Sequence, residues 1–98
     1  MLITHPEVTN DLAVAIASFD SKSNIAGDEF LQAVETAGEQ IKENPLPFHE
    51  YRDRFRRSNL RGFPSHIIYE VDGDWLGMLI IKHARRHPRA GLDRAWFS

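Results

Sequence analysis

The sequence predicts an α+β domain with elements in the order β-α-α-β-β-β, a helical hairpin followed by a mainly antiparallel sheet. Three observations predict it. Apolar residues recur at helical spacing through 8–41, apolar and β-branched runs dominate 65–83, and a proline-rich break at Pro45-Leu-Pro47 divides the two blocks.

Met1 to Thr4 is a short apolar opening suited to an edge strand, and Pro6 after His5 fits the first turn of a helix, where its missing N–H costs nothing. Val8, Leu12, Ile16 and Phe19 follow at steps of four, four and three, forming one apolar helix face, with alanines at 13, 15 and 17 raising helix propensity. Asp20-Ser-Lys-Ser-Asn24 is a polar break that offers N-cap residues. Phe30, Val34, Ala37 and Ile41 then mark a second amphipathic helix ending at Glu43-Asn44. Its other face carries Asp28, Glu29, Glu35, Glu39 and Glu43, and solvation alone accounts for most of that acidity.

Pro45-Leu-Pro-Phe-His-Glu50 reads as a loop, because two prolines so close continue neither a helix nor a central strand. Residues 54–60 read as a strand, and Gly62 to Pro64 as a bend. Strands follow over 65–71 and 75–83, joined by Asp72-Gly73-Asp74 as a three-residue hairpin loop with glycine free to take a positive φ. Residues 90–98 form a loose or partly docked tail of a single domain spanning 1–98.

Composition limits the function classes. With 42% hydrophobic and 27% charged residues the chain is ordinary globular material. It has no cysteine, which excludes disulfides, thiolate chemistry and cysteine zinc sites. No apolar run approaches the roughly 20 residues of a membrane span, and the start lacks a signal-peptide pattern, so a cytoplasmic location is expected. The net charge of −2 hides a split: residues 1–50 hold two cations against nine acids, and residues 51–98 hold ten cations against five acids. Two faces with different partners would produce such a split; neutralisation across a helix–sheet interface is the alternative. The cations gather where the last strand stops, at Lys82, His83, Arg85, Arg86 and Arg89, with Arg57 and Arg61 upstream, and a rigid scaffold presenting cations at one rim reads as a binding surface.

These features, in this order, resemble the RelE/ParE superfamily of small bacterial toxins. The matching words are Ala26 and Phe30 early in the second helix, Glu43-Asn44-Pro45 at its end, arginines in the first central strand, the Arg61-Gly-Phe-Pro64 turn, Ile67-Ile68-Tyr69, and His83-Ala-Arg-Arg-His-Pro88. Together they run from about Pro6 to Arg89. The resemblance implies a helical hairpin packed on one face of a twisted sheet. It also implies a toxin–antitoxin (plasmid stabilisation) role causing growth arrest, and a cognate antitoxin that wraps the toxin with an amphipathic, often acidic segment. Two targets go with the superfamily: ParE-like members inhibit DNA gyrase by binding, and RelE-like members cut messenger RNA at the ribosome.

For the RelE-like kind, cleavage needs a group to take the 2′-hydroxyl proton and cations to steady the phosphorane charge, which points to Arg57, Arg61, His83 and Arg85, with Glu50 and Tyr51 at the loop edge. Nuclease branches commonly carry a tyrosine near the C-terminus. This chain has Trp96-Phe97 there and no tyrosine after Tyr69, which favours the ParE-like branch. Bland roles stand beside these: Arg56 and Arg57 alternate faces, so one is available to pair with helix acids. Tyr69 and Trp75 suit core or sheet-face positions, and His83 suits an ordinary hydrogen-bonded strand end. His83 and His87 are four apart, but Pro88 argues against helical metal-ligand geometry, so no metal and no cofactor is expected. Trp96 and Phe97 suit either an interface anchor or a free tail.

Overall fold

The strand order of one central sheet determines where every other element sits. The computed structural model describes residues 2–23, 25–44, 49–50, 55–86 and 89–95. Its elements are β1 (Leu2–Thr4), α1 (Pro6–Asp20), α2 (Ala26–Glu43), β2 (His49–Glu50), β3 (Phe55–Asn59), β4 (Ser65–Asp72), β5 (Trp75–His83) and a 3-10 turn at Leu92–Arg94. The sheet order is β1-β5-β4-β3-β2, with β1 parallel to β5 and every other pair antiparallel. The α+β class and the order of the predicted elements therefore hold, with β2 added where a loop was expected at His49–Glu50. The expectations at residues 45–48, Tyr51, Arg54, His87, Pro88 and the Trp96-Phe97 tail lie outside the described residues.

Local chemistry explains the helix limits. His5 caps α1, its Nδ1 accepting the Glu7 N–H at 3.1 Å, and Pro6 follows inside the first turn. The polar break before α2 does not supply the expected side-chain cap: Ile25 occupies the N-cap, while the Ser23 hydroxyl accepts from the Ile25 N–H, two residues too early. Asp28 and Glu29 in the first turn and Lys42 in the last still complement the helix dipole.

The predicted apolar faces pack onto one side of the sheet. Val8, Phe30, Val34, Ala37 and Ile41 are buried there against Ile67, Tyr69, Met78 and Ile81, with Leu12, Ile16 and Phe19 half-buried around them. Phe19, Phe30 and Phe63 meet with ring centroids 4.9–5.2 Å apart, tilted or edge-on as aromatic quadrupoles prefer. At about 1.5–3 kcal/mol for each large apolar side chain removed from water, this layer supplies much of the driving force for folding.

The second side has its own cluster of Phe55, Ile68, Leu79 and Ile80, covered by Leu92 and Ala95. A β-bulge makes it possible. Ile68 pairs with Ile80 and Tyr69 with Met78, so Leu79 has no partner opposite and lies in the same cluster as Ile80. The hairpin turn is also tighter than expected, since Asp72 pairs with Trp75 and leaves a two-residue loop, with Gly73 at φ 58°. Trp75, expected in a core or sheet-face position, is 44% exposed at that hairpin tip.

The tail is docked as far as it is described. β1 covers the β5 edge only to Met78, whose carbonyl accepts the His5 N–H at 2.9 Å. Beyond it, Arg94 donates to the Leu79 carbonyl at 3.0 Å and to Asp11 of α1 at 2.8 Å, and the Asp11 carboxylate accepts the Ile81 N–H at 3.3 Å. Gly91 turns at φ 88° directly over Ile80, where a Cβ would come within 2.6 Å of the isoleucine side chain. No helix among the described residues is long and apolar enough to cross a membrane.

Two stability tests follow. Asp11→Ala should cost about 2–3 kcal/mol in urea unfolding, because it strands a mostly buried guanidinium and a backbone N–H together. Arg94→Ala should cost a comparable amount, since it strands the Asp11 carboxylate and the Leu79 carbonyl, and the double variant should fall short of the sum. Gly73→Ala should cost only about 1–2 kcal/mol for its left-handed backbone, whereas Gly91→Ala adds the clash with Ile80 and should cost clearly more.

Candidate functional site

Cations collect at the end of the sheet where β3 stops, β4 starts and β5 stops. Ser65 pairs with His83 there, and the Ala84 N–H donates to the Pro64 carbonyl at 2.9 Å, tying the chain after β5 to the β3–β4 turn. The His83 Nδ1 accepts the Arg85 N–H at 3.0 Å, and the His83 carbonyl accepts the Arg86 N–H at 3.1 Å, so a compact turn presents both arginines. Arg61, His83, Arg85 and Arg86 are exposed at this end, and Arg89 is exposed in the segment that follows.

Arg57 and Lys82 do not belong to that rim. Alternation from Ile67, which packs under the helices, puts His66, Ile68 and Glu70 on the opposite face of β4. His66 pairs directly with Lys82 of β5, and Arg57 pairs with Ile68 from β3. His66 is 6% and Lys82 3% exposed, and Arg57 is half-buried, so three cation-capable groups from three adjacent strands meet on a largely covered face. The Lys82 Nζ donates to the Ala90 carbonyl at 3.4 Å, bringing the C-terminal segment to the edge of this cluster. Burial first, then the charges of Lys82, Arg57 and His83, push His66 down to about 4. Glu70 lies fully buried further along the same face.

On the helix side, a cleft of about 410 Å³ runs between α1 and the end of β5, lined by Val14, Ala15, Phe19, Ile81, His83 and Arg86 among others. Its floor is apolar, and its rim is polar, with Asp11 on the α1 side and His83 and Arg86 at the β5 end. A second depression, of about 490 Å³, lies between α2 and the β3–β4 turn and includes Arg61 and Glu29. Arg56 shares the helix-side face with Tyr69, its register partner. Burial pushes the Tyr69 hydroxyl up to about 12, against the opposing charge of Arg56, so this tyrosine is a core residue and not a proton donor at neutral pH.

The residues predicted as one rim thus separate into an exposed end (Arg61, His83, Arg85, Arg86, with Arg89 nearby) and an inner cluster (Arg57, Lys82). Sequence reasoning missed His66 and Glu70. The signal that finds His66 is the hairpin register: counting back from the Asp72–Trp75 pair with one bulge brings His66 opposite Lys82. Among the described residues, no group of three or more His, Asp or Glu is placed to hold a metal ion. No protein-family model matches this chain, and no curated protein is similar to it in sequence.

His66 gives a pH test of this geometry. The fold keeps it neutral down to about 4, whereas the unfolded chain protonates it near about 6.5, so the unfolded state binds more protons between those values. Stability is therefore fully present above the upper value and declines as pH falls towards the lower one, by about 3 kcal/mol in all. Urea unfolding between about pH 7 and pH 4.5 should show this decline, and His66→Gln should flatten it by most of that amount.

Proposed function

We propose that this chain is the toxin half of a bacterial toxin–antitoxin pair, of the RelE/ParE-like kind, and that it acts by binding a cellular target through the cationic end of its sheet. In the ParE-like form of this proposal the target is DNA gyrase, and a cognate antitoxin neutralises the toxin. The observation that carries it is the gathering of Arg61, His83, Arg85 and Arg86 at one end of a rigid sheet, with Arg57 and Lys82 one step further in. Exposed cations on a fixed scaffold steer anionic partners and set the register of docking. The α1–β5 cleft, apolar below and with His83 and Arg86 at its β5 end, suits an amphipathic segment of an antitoxin with acids at that end.

Binding is favoured over catalysis by the state of the inner histidine. An imidazole pushed down to about 4 is too weak a base to activate a 2′-hydroxyl efficiently at neutral pH. His83 is exposed, and its Nδ1 is already engaged by the Arg85 N–H. A ribosome-dependent endoribonuclease is the alternative, supported by the meeting of Arg57, His66 and Lys82, which together can hold a phosphate.

Expression of the chain alone should arrest bacterial growth, and co-expression of the small open reading frame beside its gene should restore it. Harmless expression in several hosts would sink the toxin assignment. Lost supercoiling or a DNA-damage response with intact transcripts supports gyrase inhibition, and ribosome-phased cuts in messenger RNA support the nuclease. Arg85→Ala with Arg86→Ala removes exposed charge without touching the core. It should slow association with target or antitoxin on the order of tenfold at low salt and flatten the salt dependence; unchanged toxicity and unchanged antitoxin binding would remove these two arginines from the interface.

A further inference from the structure

We infer that the α1–β5 cleft is the docking site for a second copy of this chain, which fills it with Ile25 and the acidic residues around it. This goes beyond the function proposed above, and the pair so formed hides the cleft from any other partner. The socket is a continuous apolar patch. Val14, 63% exposed, lines it together with half-buried Ala15 and Phe19 and buried Ile81. Asp11 at its rim is already paired with Arg94, so the charge left at the socket comes from Arg86 at the β5 end. His83 stands beside it, and because its Nδ1 accepts the Arg85 N–H, Nε2 is left as the ring's donor.

The knob has the opposite character. Ile25 is 60% exposed, and Val14 and Ile25 are the two large aliphatic side chains that stand this far out among the described residues. The exposed charges near Ile25 in the chain are three acids, Asp20, Asp28 and Glu29, against one cation, Lys22. Asp28 and Glu29 follow Ile25 at steps of three and four, on one side of the start of α2. Local hydrogen bonds hold the knob in place: the Lys22 and Ser23 N–H groups donate to the Phe19 carbonyl at 2.9 and 3.1 Å, and the Ile25 N–H donates to the Ser23 hydroxyl at 3.4 Å. Little ordering is then needed on docking. Ile25 does not line its own cleft, so apolar meets apolar and acid meets arginine only between copies. The connection that carries Ile25 joins Phe19 to Phe30, and both phenylalanines line the cleft, so knob and socket share one end of the molecule. Two copies can therefore exchange knobs about a two-fold axis, which closes the assembly at a dimer. One aliphatic anchor with a charged margin makes a weak pair, of the kind formed by interfaces below about 1,200 Å².

Sedimentation of the full chain over about 10–1,000 μM tests this, since a weak pair populates both states in that range. A monomer–dimer equilibrium that weakens as salt rises is expected. Ile25→Ser should weaken the dimer at least about tenfold through lost apolar burial. Arg86→Glu and Asp28→Lys should each weaken it on the order of tenfold at low salt, because each sets like charges against each other. Mixed together, these two variants should regain a 1:1 pair near wild-type strength, since both exchanged contacts are then complementary again. All three positions are exposed, and urea unfolding of each variant checks that the fold is kept. A monomer throughout the range, a dimer indifferent to Ile25→Ser, or a mixture that stays monomeric overturns the proposal. So does a wild-type monomer whose Val14 and Ile81 resonances move only when an acidic amphipathic peptide is added, which gives the cleft to a foreign partner. Species larger than a dimer overturn the two-fold exchange. Growth arrest on expression tests the toxin assignment separately, and no sedimentation result bears on it.

Discussion

The fold depends on how the exposed edge of β5 is closed. A nine-residue strand flanked by a three-residue one leaves backbone groups open along its far half, and an open edge is both an energetic cost and a template for unwanted pairing. Three devices follow one another along that edge: the β1 ladder to Met78, the His5 N–H on the Met78 carbonyl, and then Arg94 on the Leu79 carbonyl with Asp11 on the Ile81 N–H. The last device joins α1, the sheet and the C-terminal segment at one point. A mostly buried ion pair carries a large desolvation cost, and here the additional hydrogen bonds to backbone offset it. Once Arg94 is held, residues 91–95 lie over Leu79 and Ile80, and Ala90 reaches Lys82. The cover on the inner cationic cluster is therefore a consequence of how the edge is closed.

The charge split between the two halves also acquires a spatial meaning. Asp28, Glu29, Glu35, Glu39 and Glu43 of α2 are all exposed, so they are not used up against the sheet beneath, and Glu39 pairs locally with Lys42 at 3.1 Å. Arg61, Arg85 and Arg86 lie at the sheet end, and Arg57 and Lys82 on the face away from the helices. Acidic and basic surfaces thus occupy different sides of a body only 40 × 26 × 21 Å across, where both fields extend beyond the surface within a Debye length of about 8–10 Å. Asp11–Arg94 crosses between the halves, but its role is local closure of the edge.

Much of this was legible in the sequence, and what was not has a common cause. The four-and-three spacing of Val8, Leu12, Ile16 and Phe19, and of Phe30, Val34, Ala37 and Ile41, is a local pattern set by the pitch of a helix, and it placed both helices. Strands β4 and β5 were marked by β-branched residues around a glycine turn. The exposed rim was visible because Arg85 and Arg86 are adjacent in the chain. The parallel β1–β5 pairing, the bulge at Leu79 and the His66–Lys82 pair depend on register, which an unbroken apolar run such as Leu79-Ile80-Ile81 does not specify. Asp11 and Arg94 stand 83 residues apart, and no local pattern announces such a contact. The tail looked loose for the same reason: its anchors are one glycine fitting over Ile80 and one arginine reaching a helix.

A histidine between two permanent cations is informative because of what it avoids. An arginine or lysine at position 66 would place three obligatory charges on a covered face, and burying charges that cannot be shed costs several kcal/mol each unless every one is compensated. Imidazole removes that conflict by giving up its proton, so the face folds with one obligatory charge fewer beneath its cover. The same residue retains the capacity to become a cation, since its ordinary value lies near the working range. The sheet can therefore hold more potential positive charge than it displays.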